Sequence, residues 1–257
     1  MSSFADRAAA GGSYEGVAAG ALARRLEVPA VLAFGEVTST LDVAHAAAAG
    51  GAASGTLVLA DAQTAGRGRM GRRWVSEPRH GIWLTLIERP RDGSALDVLS
   101  LRIGLELAPV LDAFADRRVH LKWPNDVYVG GGKLAGVLSE ARWRGESLDW
   151  VAIGVGVNVR APAAERGVGL LPGTSRLDVL DAAVPAIRRA AARRGPLSDA
   201  ELAAFAARDF AAGRACLEPT PGRVRGIDAG GALLVEVASG VTAFRAGSLV
   251  LQGEGEP

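Results

Sequence analysis

Between Gln63 and Trp74 the chain reads Gln-Thr-Ala-Gly-Arg-Gly-Arg-Met-Gly-Arg-Arg-Trp, four guanidinium groups and three glycines in one short run. Like charges at this density make a poor core, so the run has to be a loop. The segments on either side, Thr56 to Ala60 and Ile82 to Ile87, are short, apolar and β-branched, the composition of buried strands. Any fold for this chain must therefore present an arginine loop between two core strands, where it meets water or an anion. Guanidinium offers a planar fork of donors for carboxylate or phosphate oxygens, and the glycines let the main chain approach and donate as well. Mutual repulsion among the four charges predicts a loop that stays mobile until an anion arrives. On this stretch alone, a nucleotide site and a solvated basic turn touching nucleic acid are equally supported.

The rest of the composition tips that balance. Lys+Arg 29 against Asp+Glu 28 gives a formal net charge of +1 over 257 residues, so the basic character of residues 67–73 is local and no chain-wide field for nucleic acid exists. That length suits one large domain with at most a small appendage. A lone cysteine, Cys216, excludes an internal disulfide and a cysteine-based zinc cluster, and His45, His80 and His120 are too few for a metal site of their own. Asp6 and Glu15 interrupt any signal-peptide pattern, and no run approaches the ~20 apolar residues that span a bilayer. A cytoplasmic protein without membrane association is expected.

Residues 1–13 are rich in Ala, Gly and Ser and are expected to be loose. Val17, Ala18, Ala21, Leu22 and Leu26 share one helical face, which predicts a short capping helix over Tyr14 to Leu26. A helix-turn-helix module would need many more residues than precede this helix, so no operator binding is expected. Val28 to Val37 reads as a strand, Thr38-Ser39-Thr40 as the N-cap of an Ala-rich helix over 41–49, and Gly50-Gly51 as its stop. After the loop come the strand at Ile82 to Ile87 and a periodic helix from Asp97 to Phe114 that Pro109 should kink or split. Val119 to Lys122 is a brief strand. A hairpin turns at Gly130 to Gly132, and a second joins Val137–Trp143 to Leu148–Val157 around Arg144-Gly145-Glu146. Following a loop over 162–173, Thr174-Ser175 caps a helix reaching Arg194, and another runs from Ser198 to Ala212 with Glu201 completing a capping box. Five short strands between Arg214 and Leu251 then predict a small barrel. The boundary near Gly213 divides the chain into a main domain over 1–212 and a C-terminal domain over 213–257.

Three further segments suit a bound nucleotide. Lys122-Trp123-Pro124-Asn125-Asp126 combines a cation for phosphate oxygens, an amide that can fix an orientation and a carboxylate that can hold Mg²⁺. Taken alone it reads more simply as a strand ending in a turn. Lys133-Leu134-Ala135-Gly136 sends a lysine out of a glycine turn, although a lone hairpin lysine is usually just exposed. Gly154-Val155-Gly156-Val157-Asn158 puts two glycines on one face of a strand, which marks either a ligand lying against the sheet or a local bulge.

In this order the segments resemble the catalytic domain of biotin protein ligases over residues 38–158. The matching stretches are Ser39-Thr40, Gln63 to Trp74 (the family's Gly-Arg-Gly-Arg-x-Gly-Arg-x-Trp loop), Lys122 to Asp126, Lys133 to Gly136 with Glu140, and Gly154 to Asn158. Gly226-Ile227-Asp228, Gly231 to Leu234 and Ala246-Gly247 carry the likeness weakly on to Gln252, where they look like that family's C-terminal SH3-like barrel. The resemblance implies an α+β fold, a mixed sheet with flanking helices of the class II aminoacyl-tRNA synthetase and biotin ligase type, plus the small β-barrel. It implies a two-step reaction: biotin's carboxylate attacks the α-phosphate of Mg·ATP to give biotinyl-5′-adenylate, and a lysine of a biotin carboxyl carrier protein domain then takes the biotinyl group. Ser39, Thr40, Gln63, Gly66, Arg67, Lys133 and Gly136 would bind biotin. Arg69, Trp74, Lys122, Asn125, Asp126 and Asn158 would bind ATP, with Asp126 as the metal ligand. Lys133, Arg67 and Arg69 would be catalytic. The resemblance implies no DNA partner in a chain of this form, and a homodimer stays open.

Four positions depart from the family pattern. Leu41 stands where the family usually has Asn, Arg79 and Thr85 where it usually has Gly and Ser, and Gln252 where many members have Arg. Lipoate protein ligases and octanoyl transferases share this fold and are the nearest alternative, against which stand the biotin-type forms of the arginine loop and of the Lys122 to Asp126 run. A regulator gripping nucleic-acid phosphates is the alternative of another class.

Overall fold

The computed structural model describes residues 12–162 and 167–254. The expected loose start falls largely on residues 1–11, outside the described residues. Where a helix from Tyr14 is expected, Glu15 and Gly16 at φ 52° and 76° instead turn a minimal hairpin of β1 (Ser13–Tyr14) and β2 (Val17–Ala18). The hairpin lets Tyr14 bury its ring, 1% exposed, under the Arg176 guanidinium, and only then does α1 (Ala19–Arg25) begin. Local periodicity could not reveal that tertiary contact.

The chain continues through β3 (Val31–Val37), α2 (Thr40–Ala49), β4 (Leu57–Gln63) and β5 (Gly81–Glu88). Ser39 caps α2, its hydroxyl accepting from the Leu41 amide. Next come α3 (Leu99–Leu111), flanked by 3₁₀ turns, then β6 (His120–Lys122), β7 (Asp126–Val129), β8 (Gly132–Arg144) and β9 (Ser147–Asn158). Pro109 does not split α3, because it sits on the exposed side, where water can serve the carbonyl it leaves free. Both hairpins form, but they share one long strand: β8 leaves the Gly130-Gly131 turn and runs unbroken to Arg144.

These strands form one seven-stranded sheet in the order β3-β4-β5-β9-β8-β7-β6. Only β3 and β4 are parallel, with α2 as their crossover, and every other pair is antiparallel. Side-chain alternation splits the sheet into two faces. Leu57, Leu59, Ile82, Leu84, Ile153 and Val155 point into the main core with α1, α3 and α4 (Arg176–Ala192). On the other face Val58, Ile87 and Ala152 meet Leu41, Ala44 and Ala48 of α2 in a smaller core. One short helix cannot cover seven strands. Beyond it this face carries Gly136, Gly154 and Gly156, which are cross-strand neighbours or diagonal to one another.

The last helix, α5 (Asp199–Ala206), has the expected capping box of Ser198 and Glu201 but stops short of Ala212. The main chain beyond it pairs with β6 instead, Leu121 donating to the Arg208 carbonyl and Phe210 donating to the Leu121 carbonyl, both at 2.8 Å. The C-terminal strands β10 (Ala215–Glu218), β11 (Gly222–Ile227), β12 (Leu233–Val237), β13 (Gly240–Phe244) and β14 (Val250–Leu251) form an antiparallel sheet in the order β13-β12-β11-β10-β14. Hydrogen bonding leaves β13 and β14 as its edges, so this sheet is open where a barrel was expected. The Trp123 indole fastens it to the larger sheet by donating to the Gly231 carbonyl at 2.9 Å. Among the described residues no helix is long and apolar enough to cross a membrane.

A buried ion pair fixes α5 to α3. Arg102, 1% exposed, donates from Nε to Glu201 at 2.6 Å and from NH2 to the Pro196 carbonyl at 2.9 Å. Burial pushes the Glu201 carboxyl up, but hydrogen bonds from Arg102, the Ser198 main chain and Arg193 outweigh it and hold it at about 2, against an ordinary 4.5. A depressed folded-state value favours the ionised form, so this stabilisation is complete above pH 4.5 and is lost as pH falls towards 2. In urea titrations the wild type should therefore lose stability over that window more steeply than Glu201→Gln. The variant should be less stable at neutral pH by about 3 kcal/mol, and parallel pH profiles would contradict this assignment.

Candidate functional site

The part of the sheet that α2 leaves uncovered forms the floor of a cavity of about 480 Å³, within the range of small-molecule sites. The α2 N-terminus contributes Ser39, Thr40 and Leu41, the arginine loop contributes Arg67, Arg69 and Trp74, and the Lys122 to Asp126 turn and Lys133 close the far side. Gly247 to Val250 of the C-terminal sheet reach its rim.

Trp74 lies directly on the strand glycines. A Cβ on Gly156 would come within 2.6 Å of the indole Cε2 and Nε1, and one on Gly136 within 3.0 Å of Cζ3. These contacts supply the reason for glycine inside two central strands, where it otherwise weakens pairing. Trp83 meets the Trp74 ring edge-on at 6.3 Å. Lys133 Nζ is 5.1 Å from the Trp74 ring centroid and 2.8 Å from Asp126 Oδ1, so the ammonium is held between a carboxylate and a π face.

At the α2 end the polar groups satisfy one another in a chain. Gln63 Oε1 accepts from the Thr40 amide at 2.8 Å and from its hydroxyl at 3.2 Å, while Nε2 donates to Ser76 Oγ at 2.7 Å. Thr85 joins through a 2.9 Å bond to the Thr40 hydroxyl. This network fixes the Gln63 amide orientation and presents neutral donors and acceptors beside Leu41, whose apolar side chain packs on Gly154. Thr85, fully buried and absent from the lining, thus backs the polar wall through Thr40, and Leu41 places carbon next to that wall.

The arginine loop is a small hairpin, with Gly68 donating to the Arg72 carbonyl at 2.8 Å and Trp74 to the Gly66 carbonyl at 2.9 Å. Its four charges go to four different places. Arg67 pairs with Glu140 and with Asp42, Arg69 donates to Asn125 Oδ1 at 3.4 Å, Arg72 to Ser248 Oγ at 3.1 Å and Arg73 to the Thr64 carbonyl at 2.8 Å. Separate acceptors offset part of the repulsion from which mobility was expected. Burial lowers the affinity of Arg69 for its proton, the Asp126 charge opposes that, and the Arg72 charge still adds to the lowering. Met70, 72% exposed and at φ 56°, stands at the loop tip.

Three expected ligand residues have other roles in this conformation. Gly66 does not line the cavity; a Cβ there would sit 2.4 Å from the Trp74 carbonyl oxygen, so it serves the tight loop. Asn158 is buried behind the wall and donates to the Lys133 carbonyl at 3.3 Å, which supports the lysine backbone from below. Lys122 lines the cavity, yet Nζ is held by both oxygens of Glu254, at 2.7 and 2.6 Å. Sequence reasoning missed Glu254; its one signal was a carboxylate in a glycine-rich end following an otherwise apolar strand.

Among the described residues no group of three His, Cys, Asp or Glu side chains could hold a metal ion unaided. Asp126 nevertheless fits as a single ligand once its buried Oδ1, 2.8 Å from Lys133 Nζ, exchanges that ammonium for a metal ion. Mg²⁺ characteristically takes one or two carboxylates and completes its shell with water and substrate phosphates.

Comparison with known proteins agrees with this geometry. Residues 34–158 match the model of the Biotin/lipoate A/B protein ligase family. Over 124 residues the chain is 40% identical to the bifunctional ligase/repressor BirA of Bacillus spizizenii, covering 48% of this chain and 38% of that protein. It is 37% identical over 162 residues to the biotin--[acetyl-CoA-carboxylase] ligase of Mycobacterium tuberculosis, covering 61% of this chain and 57% of that one. The chain thus spans less than two thirds of the length of these curated relatives. The biotin protein ligase from Aquifex aeolicus, solved in complex with biotin and ATP, superposes with a TM-score of 0.70 at 24% identity, over 86% of this chain and 98% of that one, a likeness of fold. Residues 34–158 thus carry the likeness of this chain to the Biotin/lipoate A/B protein ligase family.

Proposed function

We propose that the chain is an ATP-dependent biotin protein ligase, which activates biotin as biotinyl-5′-AMP and transfers it to a lysine of a biotin carboxyl carrier protein domain. The observation that carries this reading is the convergence of Arg67, Arg69, Lys133 and Asp126 around a tryptophan seated on glycines, one cavity that joins a neutral polar wall to a cationic end. Biotin has the same two-ended chemistry: a neutral ureido head and a carboxylate. Ser39, Thr40 and Gln63 take the head, Lys133 neutralises charge where carboxylate and α-phosphate meet, and Trp74 offers its face to the adenine. In the first step a carboxylate oxygen bonds to the α-phosphorus and pyrophosphate leaves. In the second, the carrier lysine amine attacks the acyl carbon, AMP leaves with the bonding pair, and the amine gives up its proton.

Asp126, assisted by triphosphate oxygens, would hold Mg²⁺, which screens phosphate charge. Lys122 becomes available to phosphate once Glu254 yields it, and Asn125 does so once Arg69 turns to the ligand. Arg69 then closes over the adenylate, exchanging Asn125 for phosphate oxygens, while Arg67 stays on its fork at Glu140, and together they exclude water. The main domain over 1–212 carries this chemistry, and the C-terminal domain over 213–257, related to an SH3-like module, brings Gly247 to Val250 to the cavity rim. The relatives' names support biotin and a carboxylase carrier, and ATP chemistry points to the cytoplasm.

Pyrophosphate–ATP exchange should depend on biotin and remain at background with lipoate or octanoate; exchange driven by lipoate alone would refute the assignment in favour of the lipoate-type alternative. Lys133→Ala should slow adenylate formation on the order of 10²-fold with an unchanged melting temperature, and a wild-type single-turnover rate would remove Lys133 from the mechanism. Arg69→Gly should form the adenylate but release it, read as increased biotinylation of bystander lysines; unchanged bystander labelling would exclude the retention role.

A further inference from the structure

We infer that His45, acting through Glu140, is a positioning residue that holds Arg67 by its outer fork and leaves Arg67 Nε for the ligand; this rests on reading the cavity as an adenylate-forming site. Glu140 lies on β8, on the same sheet face as Gly136 and Leu138. Its carboxylate grips the guanidinium with two bonds, Oε1 3.1 Å from NH1 and Oε2 3.2 Å from NH2. Asp42 Oδ1 also lies 3.1 Å from NH2. Arg67 Nε, in contrast, is buried and has no partner among the described residues. A buried donor without an acceptor is costly, so Nε, closed off in this conformation, gains most when a ligand in the cavity that Arg67 lines draws it to an anion.

The chain of bonds continues away from the cavity. Glu140 Oε2 is 2.7 Å from Nε2 of His45, one helical turn beyond Asp42 on α2, and His45 Nδ1 is 3.0 Å from Nε1 of Trp150 on β9. An indole N–H can only donate. His45 Nδ1 must therefore be the bare acceptor, and its proton must sit on Nε2, where it is given to Glu140. Trp150 thus sets the tautomer, His45 fixes the carboxylate, and the carboxylate fixes the arginine. None of Trp150, His45 and Glu140 lines the cavity, so each acts only through Arg67. With one oxygen bonded on both sides, Glu140 has a single orientation to offer; remove the imidazole and the carboxylate can turn, taking the fork with it. The three residues come from α2, β8 and β9, so the network also couples the α2 N-terminus, where the polar wall begins, to the arginine loop.

His45→Leu removes the donor while keeping a good helix former, and His45→Gln returns an N–H at similar reach. His45→Leu should raise KM for biotin and the rate of adenylate loss roughly tenfold with kcat little changed, the size of one hydrogen bond to a charged group, and His45→Gln should recover most of it. In an Arg67→Ala background the same substitution should have no further effect. The Arg67 Nε–H resonance, observed without substrate, should move in His45→Leu and return in His45→Gln. Wild-type kinetics in His45→Leu, or an undiminished effect in the Arg67→Ala background, would overturn the inference. If His45→Leu fails to fold, Trp150→Phe frees only the tautomer and should shift KM in the same direction by less; no shift would be equally decisive. An active wild type with indifferent His45 variants removes the positioning role alone, whereas a wild type inactive in biotin-dependent exchange, with the resonance still responding, removes the ligase reading and keeps the positioning geometry.

Discussion

The approach of the Trp74 indole to β8 and β9 is the contact on which the site depends. An aromatic ring can lie on a sheet only where no Cβ intervenes, and Gly136 and Gly156 clear that space on neighbouring strands. Glycine there gives up strand stability, so the surrounding sheet must supply it. The pairing of β9 with β5 over Gly81 to Glu88, and with β8 along most of its length, does so. Once seated, Trp74 ends the arginine loop at a fixed place and gives Lys133 a face to sit over. The loop's charges then have a defined origin from which to reach their acceptors.

Those acceptors explain how one loop can be both ordered and ready for an anion. Carboxylate, amide, hydroxyl and carbonyl oxygens each take one guanidinium. None of these contacts is a deeply buried pair, and exposed or half-exposed ion pairs contribute little individually. A phosphate with several oxygens can compete with Asn125 for Arg69 at modest cost, whereas the buried Lys122 exchanges both Glu254 oxygens only for a comparably charged acceptor. The Arg67 fork on Glu140 differs, because it is bidentate and backed by His45. The loop therefore combines one firm anchor with exchangeable contacts.

Much of this was legible in the sequence for identifiable reasons. Strands flanked by glycine turns, such as β7 and β8, and helices opened by Ser39, Ser175 and Ser198 announce themselves locally. Glycine's cost in a strand marked Gly154-Val155-Gly156 as a place of close approach or a bulge, and the group resting on Gly156 is Trp74. What stayed hidden was non-local. Tyr14 forms a hairpin because it buries under Arg176, α5 ends early because Leu121 captures the chain beyond it, and Lys122 finds Glu254 from the far end of the sequence. Asn158 reads as a ligand residue by position but is turned to support a backbone carbonyl. Such assignments depend on which neighbours the fold supplies, and no local pattern encodes that.

The central claim is that this cavity makes an acyl-adenylate from biotin and keeps it. Incubation with ATP labelled in the α-phosphate, followed by rapid gel filtration, measures both properties at once. The account predicts label travelling with the protein only when biotin is present, and discharge of that label as AMP when a carrier domain is added. Label retained equally without biotin, or retained with lipoate and not with biotin, would contradict it.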